Sequence, residues 1–205
     1  MLRHLRTLLC LGAPTIVSSD SAAIKESTST LDNLQTAFNC ESNANARYLA
    51  FAKKADEEGF GEEASLFRAA AKAEEIHARN HCDVMRKMGA MPALNLEAIE
   101  VKSTHENLKT VIADEKYERD IMNPEFVEVA THEKATSAIR TFTFALKIEA
   151  VHAVLCQDIL DNLQKRTGKN HIFHVCQDCR NTLEELNIVS DSLAGIRRAA
   201  FIAVS

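Results

Sequence analysis

Apolar residues recur every three or four positions through most of this chain. Between Ser29 and Gly168 the pattern is punctuated at Gly59–Gly61, at Gly89–Pro92 and, inside one stretch, at Pro124. The stretches between are rich in Ala, Leu, Glu and Lys, which predicts helices at 30–58, 62–88, 104–130 and 133–166. Each is roughly 25–30 residues, or about 40 Å long. Four helices of matched length predict an all-α four-helix bundle. The segment 89–103 is then the long crossover between two helical hairpins.

An internal repeat supports this layout. Ser29-Thr30-Leu31-Asp32-Asn33-Leu34 aligns with Ser103-Thr104-His105-Glu106-Asn107-Leu108, an offset of 74 residues, and both openings carry the Ser-x-x-acid pattern that starts a helix. The same offset carries Glu41 onto Glu115. Past one extra residue, expected near the second hairpin turn, the offset becomes 75, and Phe67, Glu74 and His77 meet Phe142, Glu149 and His152. The sequence therefore reads as a duplicated hairpin with a pseudo-two-fold axis.

The acids on the inner faces carry the chemistry. Spacings of three and four place Leu34, Phe38, Glu41, Asn45, Tyr48 and Ala52 on one face of the first helix, and Phe67, Ala70, Glu74, His77 and His81 on one face of the second. The third gives Leu108, Val111, Glu115, Glu118 and Met122; the fourth gives Phe142, Ala145, Glu149, His152, Cys156 and Ile159. Each otherwise largely apolar face thus carries a carboxylate. A buried ionised carboxylate is costly alone, and four converging ones also repel. The basic residues mostly fall off these faces, so the compensating charge is assigned to two divalent cations, +4 against −4. Glu74-x-x-His77 and Glu149-x-x-His152 put each Glu and His one turn apart on one side of their helix. One Glu from each of two helices and Glu-x-x-His from each of the other two is the carboxylate-bridged two-metal pattern of ferritin-like bundles. Oxygen-rich sites of this kind suit iron or manganese. Glu62, Glu63 and Glu75 read as surface charge. His81, His105 and His132 read as surface or rim residues, with a supporting role beside His77 as the alternative for His81.

Composition narrows the function classes. Apolar residues make up 46% of the 205, enough for a core, and the net charge of −5 disfavours nucleic-acid binding. No apolar run approaches the roughly 20 residues of a membrane span. Residues 1–28 hold Arg3, Arg6 and an apolar run from Leu8 to Val17, with no acid before Asp20. They read as a targeting leader, for an organelle such as the mitochondrion or for secretion, or as a tail. The expected location is cytoplasmic or organellar after leader removal. The bundle is expected over 29–166, and 167–205 as an irregular appendage ending in a helix-like apolar tail.

At these residues the sequence resembles the rubrerythrin family from about Leu31 to Leu163. The resemblance rests on Glu41-Ser42 with Ala46-Arg47-Tyr48, Glu74-Glu75-Ile76-His77, Glu115-Lys116-Tyr117-Glu118, Pro124-Glu125-Phe126 and Glu149-Ala150-Val151-His152. Glu118 is the discriminating residue, because simple ferritins lack this additional Glu. The resemblance implies a non-haem diiron peroxidase that reduces hydrogen peroxide, with electrons from a separate donor such as rubredoxin or a reductase, in a homodimer. It implies two irons bridged by Glu74 and Glu115, with Glu41 and Glu149 as terminal ligands and His152 on the second iron. It makes His77 and Glu118 alternative ligands of the first, and Tyr48 and Tyr117 candidate hydrogen-bond partners of ligand carboxylates. A ferritin-like ferroxidase or iron-handling protein is the alternative reading.

Two departures stand out. Asn123 occupies a position where the family usually has Tyr. Val175-Cys176-Gln177-Asp178-Cys179 matches one rubredoxin knuckle, and no Cys follows it. Cys176 and Cys179 are thus a candidate second metal site, but two thiolates cannot fill a tetrahedral iron site alone. Cys40, Cys82 and Cys156 read as small core fillers.

Overall fold

The computed structural model describes residues 28–162, 173–176, 182–183 and 201–204. Helices α1 (Thr30–Glu58) and α2 (Gly61–Lys87) form the first hairpin. The second hairpin has α3 (Thr104–Tyr117), a π-helical turn over Glu118–Met122, α4 (Asn123–His132) and α5 (Thr136–Asn162). The all-α, ferritin-like four-helix bundle is as expected. The third predicted helix is continuous in direction but contains the π turn, in which the Asn123 N–H donates to the Glu118 carbonyl. Pro124, which has no N–H and crowds the preceding turn of an α-helix, follows that widened turn at the start of α4.

The π turn explains the change of repeat offset. Ser29 and Ser103 both form capping boxes, 74 residues apart. The two hairpin turns carry left-handed residues at Gly59 (φ 82°) and Lys134 (φ 58°), now 75 apart. The extra residue is therefore absorbed within the helix, after Tyr117, rather than near the hairpin turn. A single-residue insertion in an α-helix has this local solution, a turn closed by an i→i+5 bond.

The two halves also cap each other. Glu58, the last residue of α1, accepts from the Thr104 N–H at 2.8 Å, at the start of α3. Its repeat mate Glu133, just past α4, accepts from the Thr30 N–H at 3.2 and 3.3 Å, at the start of α1. The orphan donors of each helix start are thus met by the other hairpin. The crossover 88–103 has no regular structure. It runs along α1, where Gln35, Asn39 and Asn43 bind the backbone of Ala93, Asn95 and Glu97.

Two apolar clusters fill the bundle. One gathers Tyr48, Phe51, Leu66, Phe67, Leu108, Val111, Cys156 and Ile159. The other gathers Leu34, Cys40, Met85, Met122, Phe126 and Phe142. Glu41, His77, Glu115, Glu149 and His152 occupy sequence positions between these two sets.

The C-terminal part departs from expectation. Strands β1 (Phe173–Cys176), β2 (Thr182–Leu183) and β3 (Phe201–Val204) form an antiparallel sheet in the order β2-β1-β3. Phe201 pairs with Cys176 and Val204 with Phe173. Residues 201–204 are thus a strand, not part of a helical tail, and the appendage is regular at these residues. A short apolar run suits a helix or a strand equally, and a pairing partner decides between them. Phe173 and Val175, alternate residues of β1, are fully buried against the first core cluster. Cys176 ends β1, while Cys179 and residues 1–27 of the expected leader lie outside the described residues. Among the described residues no helix is long and apolar enough to cross a membrane.

Replacing Glu58 or Glu133 with Ala is expected to lower stability by about 1 kcal/mol each, the usual worth of a helix cap. The two caps lie at opposite ends of α1, so the losses should add in the double variant, read from urea unfolding midpoints.

Candidate metal centre

Helix periodicity brings all seven predicted ligands inward. Glu41, Glu74, His77, Glu115, Glu118, Glu149 and His152 are each at most 3% exposed. They come from α1, α2, α3, the first residue of the π turn, and α5. Two overlapping groups form. Glu41, Glu74, His77 and Glu149 offer ligand atoms within 4.8 Å of one another, as do Glu74, Glu115, Glu149 and His152.

Glu74 and Glu149 belong to both groups. Glu74 places Oε2 3.1 Å from His77 Nδ1 and Oε1 3.1 Å from His152 Nδ1. Glu149 places Oε1 3.1 Å from His77 Nδ1 and Oε2 3.3 Å from His152 Nδ1. Each carboxylate therefore spans the two imidazoles, one oxygen to each. Glu115 reaches only His152, at 3.5 Å. Glu74 and Glu149 are thus the two carboxylates common to both groups. The reason is positional: the carboxylates that span both groups come from the helices that also carry the histidines.

The electrostatics show what such a cluster needs. Burial, then the charges of Glu118, Glu74 and Glu149, pushes the Glu41 carboxyl well above its usual range. Burial does the same to Glu115, although His152 draws it back. Burial also opposes the charge of Glu74, but hydrogen bonds with His152 and His77 outweigh it and hold Glu74 low. Burial and the Glu74 charge oppose that of Glu149, which His77 and His152 nevertheless hold below its usual range. Burial lowers His77, and Glu149 and Glu74 more than reverse this, raising it to about 9. The metal-free cluster thus balances its charge with protons. Both oxygens of Glu41 and His77 Nε2 are buried without a hydrogen-bond partner. Buried polar atoms are rarely left so. Such a set of aligned, unbonded donors from carboxylate and imidazole fits divalent metal.

The surroundings hold the ligands. Tyr48, fully buried, donates its hydroxyl to Glu115 Oε1 at 2.9 Å. Arg47 forms a 2.7 Å ion pair with Asp114, and its guanidinium lies 5.9 Å from the Tyr48 ring centre. Sequence reasoning missed Asp114; its signal was an acid beside Glu115 with an Arg beside Tyr48. Tyr117, the other aromatic candidate, is partly buried against the second apolar cluster.

Two expectations fail. His81, read as a surface or rim residue, is fully buried, with Nε2 3.7 Å from Glu41 Oε1. Its spacing from His77 put it on the inner face, and that was the usable signal. Glu62 and Glu63, read as surface charge, are buried in the first turn of α2, where the helix start favours acids. Glu75 is exposed and paired with Lys72, and His105 and His132 are exposed, as expected.

A four-helix bundle around such a carboxylate and histidine cluster defines a ferritin-like diiron protein, whose cofactor is two iron ions. The rubrerythrin family model matches residues 32–160, and the chain belongs to that family. It is 32% identical over 177 residues to rubrerythrin-2 of Clostridium acetobutylicum, covering 85% of this chain and 96% of that one. It is 33% identical over 154 residues to nigerythrin of Nitratidesulfovibrio vulgaris, covering 74% of each. Among solved structures, mixed-valence nigerythrin superposes with a TM-score of 0.79 at 27% identity, covering 92% of this chain and all of that one. A Mycobacterium tuberculosis bacterioferritin shares the fold, with a TM-score of 0.61 at 20% identity, covering 66% of this chain and 86% of that one.

A pH prediction follows with a definite sign. In the metal-free fold His77, His152, Glu41 and Glu115 all sit above their ordinary values. Each then stabilises the fold when protonated and loses that contribution as pH rises through its folded value. For His77 the loss runs from about pH 6.5 to about 9. Chelated protein should therefore melt at least about 5 °C lower at pH 9 than at pH 6. Added ferrous iron should raise the melting temperature more at the higher pH, read by anaerobic calorimetry.

Proposed function

We propose that the chain is a non-haem diiron peroxidase that reduces hydrogen peroxide to water and protects against oxidative stress. The observation that carries this reading is Glu118, a further acid buried beside a centre whose ligand groups are already complete without it. It acts on Glu41 strongly enough to be the leading charge that raises it. An iron site for storage has no use for a spare buried carboxylate, whereas a redox centre that changes charge does.

Glu41, Glu74, His77 and Glu149 would hold one iron and Glu74, Glu115, Glu149 and His152 the other. Bound there as a ferrous pair, iron would supply the two electrons that, with two protons, take hydrogen peroxide to two waters. The chain's own residues set the conditions. Glu74 and Glu149 fix the separation of the two positions. Tyr48 orients Glu115 so that one oxygen remains for metal. The apolar clusters on either side keep bulk water from the reduced centre. Glu118 and His77 are alternative donors at the first position: the harder, more charged oxidised ion favours anionic oxygen, and the reduced ion accepts neutral imidazole. Glu118 is the buried first residue of the π turn, one turn beyond Glu115, which supports this role. A separate donor, rubredoxin or a reductase, restores the electrons. Cys176 and Cys179 are the candidate ligands of a second, incomplete site.

Anaerobically reduced protein is expected to consume one peroxide per two electrons and to run as a dimer on a sizing column. Glu118→Ala should slow peroxide consumption by roughly 10–100-fold, as loss of a ligand does. Large iron-loaded shells with rapid oxygen-driven ferrous oxidation and little peroxide turnover would support the ferroxidase reading instead.

A further inference from the structure

The duplicated centre is not symmetric in what holds its ligands. Counted through the π turn, Tyr48 corresponds to Asn123, and His81 corresponds to Cys156, each 75 residues on. On one half Tyr48 donates to Glu115. On the other, Asn123 is fully buried and neither atom of its amide is hydrogen-bonded, so the matching bond to Glu41 is missing. The neighbour that approaches Glu41 comes instead from α2. His81 Nε2 lies 3.7 Å from Glu41 Oε1. Its Nδ1 lies 3.3 Å from the Thr141 hydroxyl on α5, and its ring lies against Phe142 at 5.4 Å between centres. At the corresponding place on α5 stands Cys156, a weak donor.

We propose that His81, held by Thr141, is the positioning residue for Glu41, replacing on this half of the centre the tyrosine that serves the other half. The inference rests on the diiron reading of the site and deepens it. A neutral imidazole that accepts the Thr141 hydroxyl proton at Nδ1 carries its own proton on Nε2, the atom turned toward Glu41. The contact is longer than a hydrogen bond and closes to one with a shift of roughly 0.7 Å. With one oxygen engaged by His81, Glu41 turns the other toward the metal position it shares with Glu74, His77 and Glu149. Without that hold the carboxylate can rotate, and only this half of the centre should weaken.

The test is anaerobic ferrous iron titration of the metal-stripped full chain, with Mössbauer spectra of the loaded protein. Wild type should bind two irons. His81→Leu should bind one iron normally and the other about 10–100-fold more weakly, the usual cost of losing a partner behind a metal ligand. One of the two iron signals should change. His81→Gln, which restores an N–H near the same place, should recover most of the affinity. Thr141→Val should weaken the same iron, and Thr141→Ser should not. The melting temperature of each metal-free variant measures the packing loss separately, with Cys156→Ala as the control at the duplicate position. Should His81→Leu fail to fold, the Thr141 pair decides. Two irons bound with wild-type affinity and spectra in His81→Leu, or in Thr141→Val where that pair decides, would overturn the proposal. So would a His81→Gln as weak as His81→Leu. A wild type that binds no iron would overturn the diiron reading itself, a distinct result.

Discussion

Everything in this bundle is arranged around carboxylates that converge in a dry interior. Glu41, Glu74, Glu115 and Glu149 are almost fully buried. In such surroundings the charged form is expensive, and mutual repulsion adds to the cost. Without metal, burial raises Glu41 and Glu115 while the two histidines are raised as counter-charges. Two divalent cations provide the same positive charge without protons and take up the buried oxygens that have no hydrogen bond. Metal binding and folding are therefore coupled in this protein, since the site is assembled only by the packed bundle.

The scaffold meets that demand by repetition. Each hairpin delivers one Glu from its first helix and a Glu-x-x-His from its second, and each caps the other's first helix through Glu58 or Glu133. Because both histidine-bearing helices turn the same pattern inward, Glu74 and Glu149 reach both imidazoles. The surroundings are not symmetric: an Arg47–Asp114 ion pair and Tyr48 lie beside Glu115, and His81 approaches Glu41. The repeat sets where the inward acids and histidines lie, and the residues around them differ between the two halves.

The π turn is the main break in that symmetry. It adds one residue to the second hairpin at Glu118, beside the centre and just before a proline that an uninterrupted α-helix would not readily accept. The likeness to nigerythrin and to rubrerythrin-2 agrees with the fold and the family. The likeness to bacterioferritin shows the fold, and the functional reading rests on Glu118 and its neighbours rather than on the fold.

Much of this was legible in the sequence. Helix starts follow from Ser29 and Ser103, the first hairpin turn from Gly59, the end of the second helix from Gly89, and the inward acids from spacing alone, because a helix converts sequence intervals into directions by fixed geometry. Those local rules determined the bundle, the seven inward ligands and the duplication. They did not determine what each residue meets on another helix. That His81 lies against Glu41, that Glu149 rather than Glu115 spans the two imidazoles, that Glu62 and Glu63 are buried, and that residues 201–204 pair as a strand were decided by packing between elements far apart in the chain. The extra residue was countable from the repeat, but its place in a π turn depended on the bundle holding both sides of that helix in register.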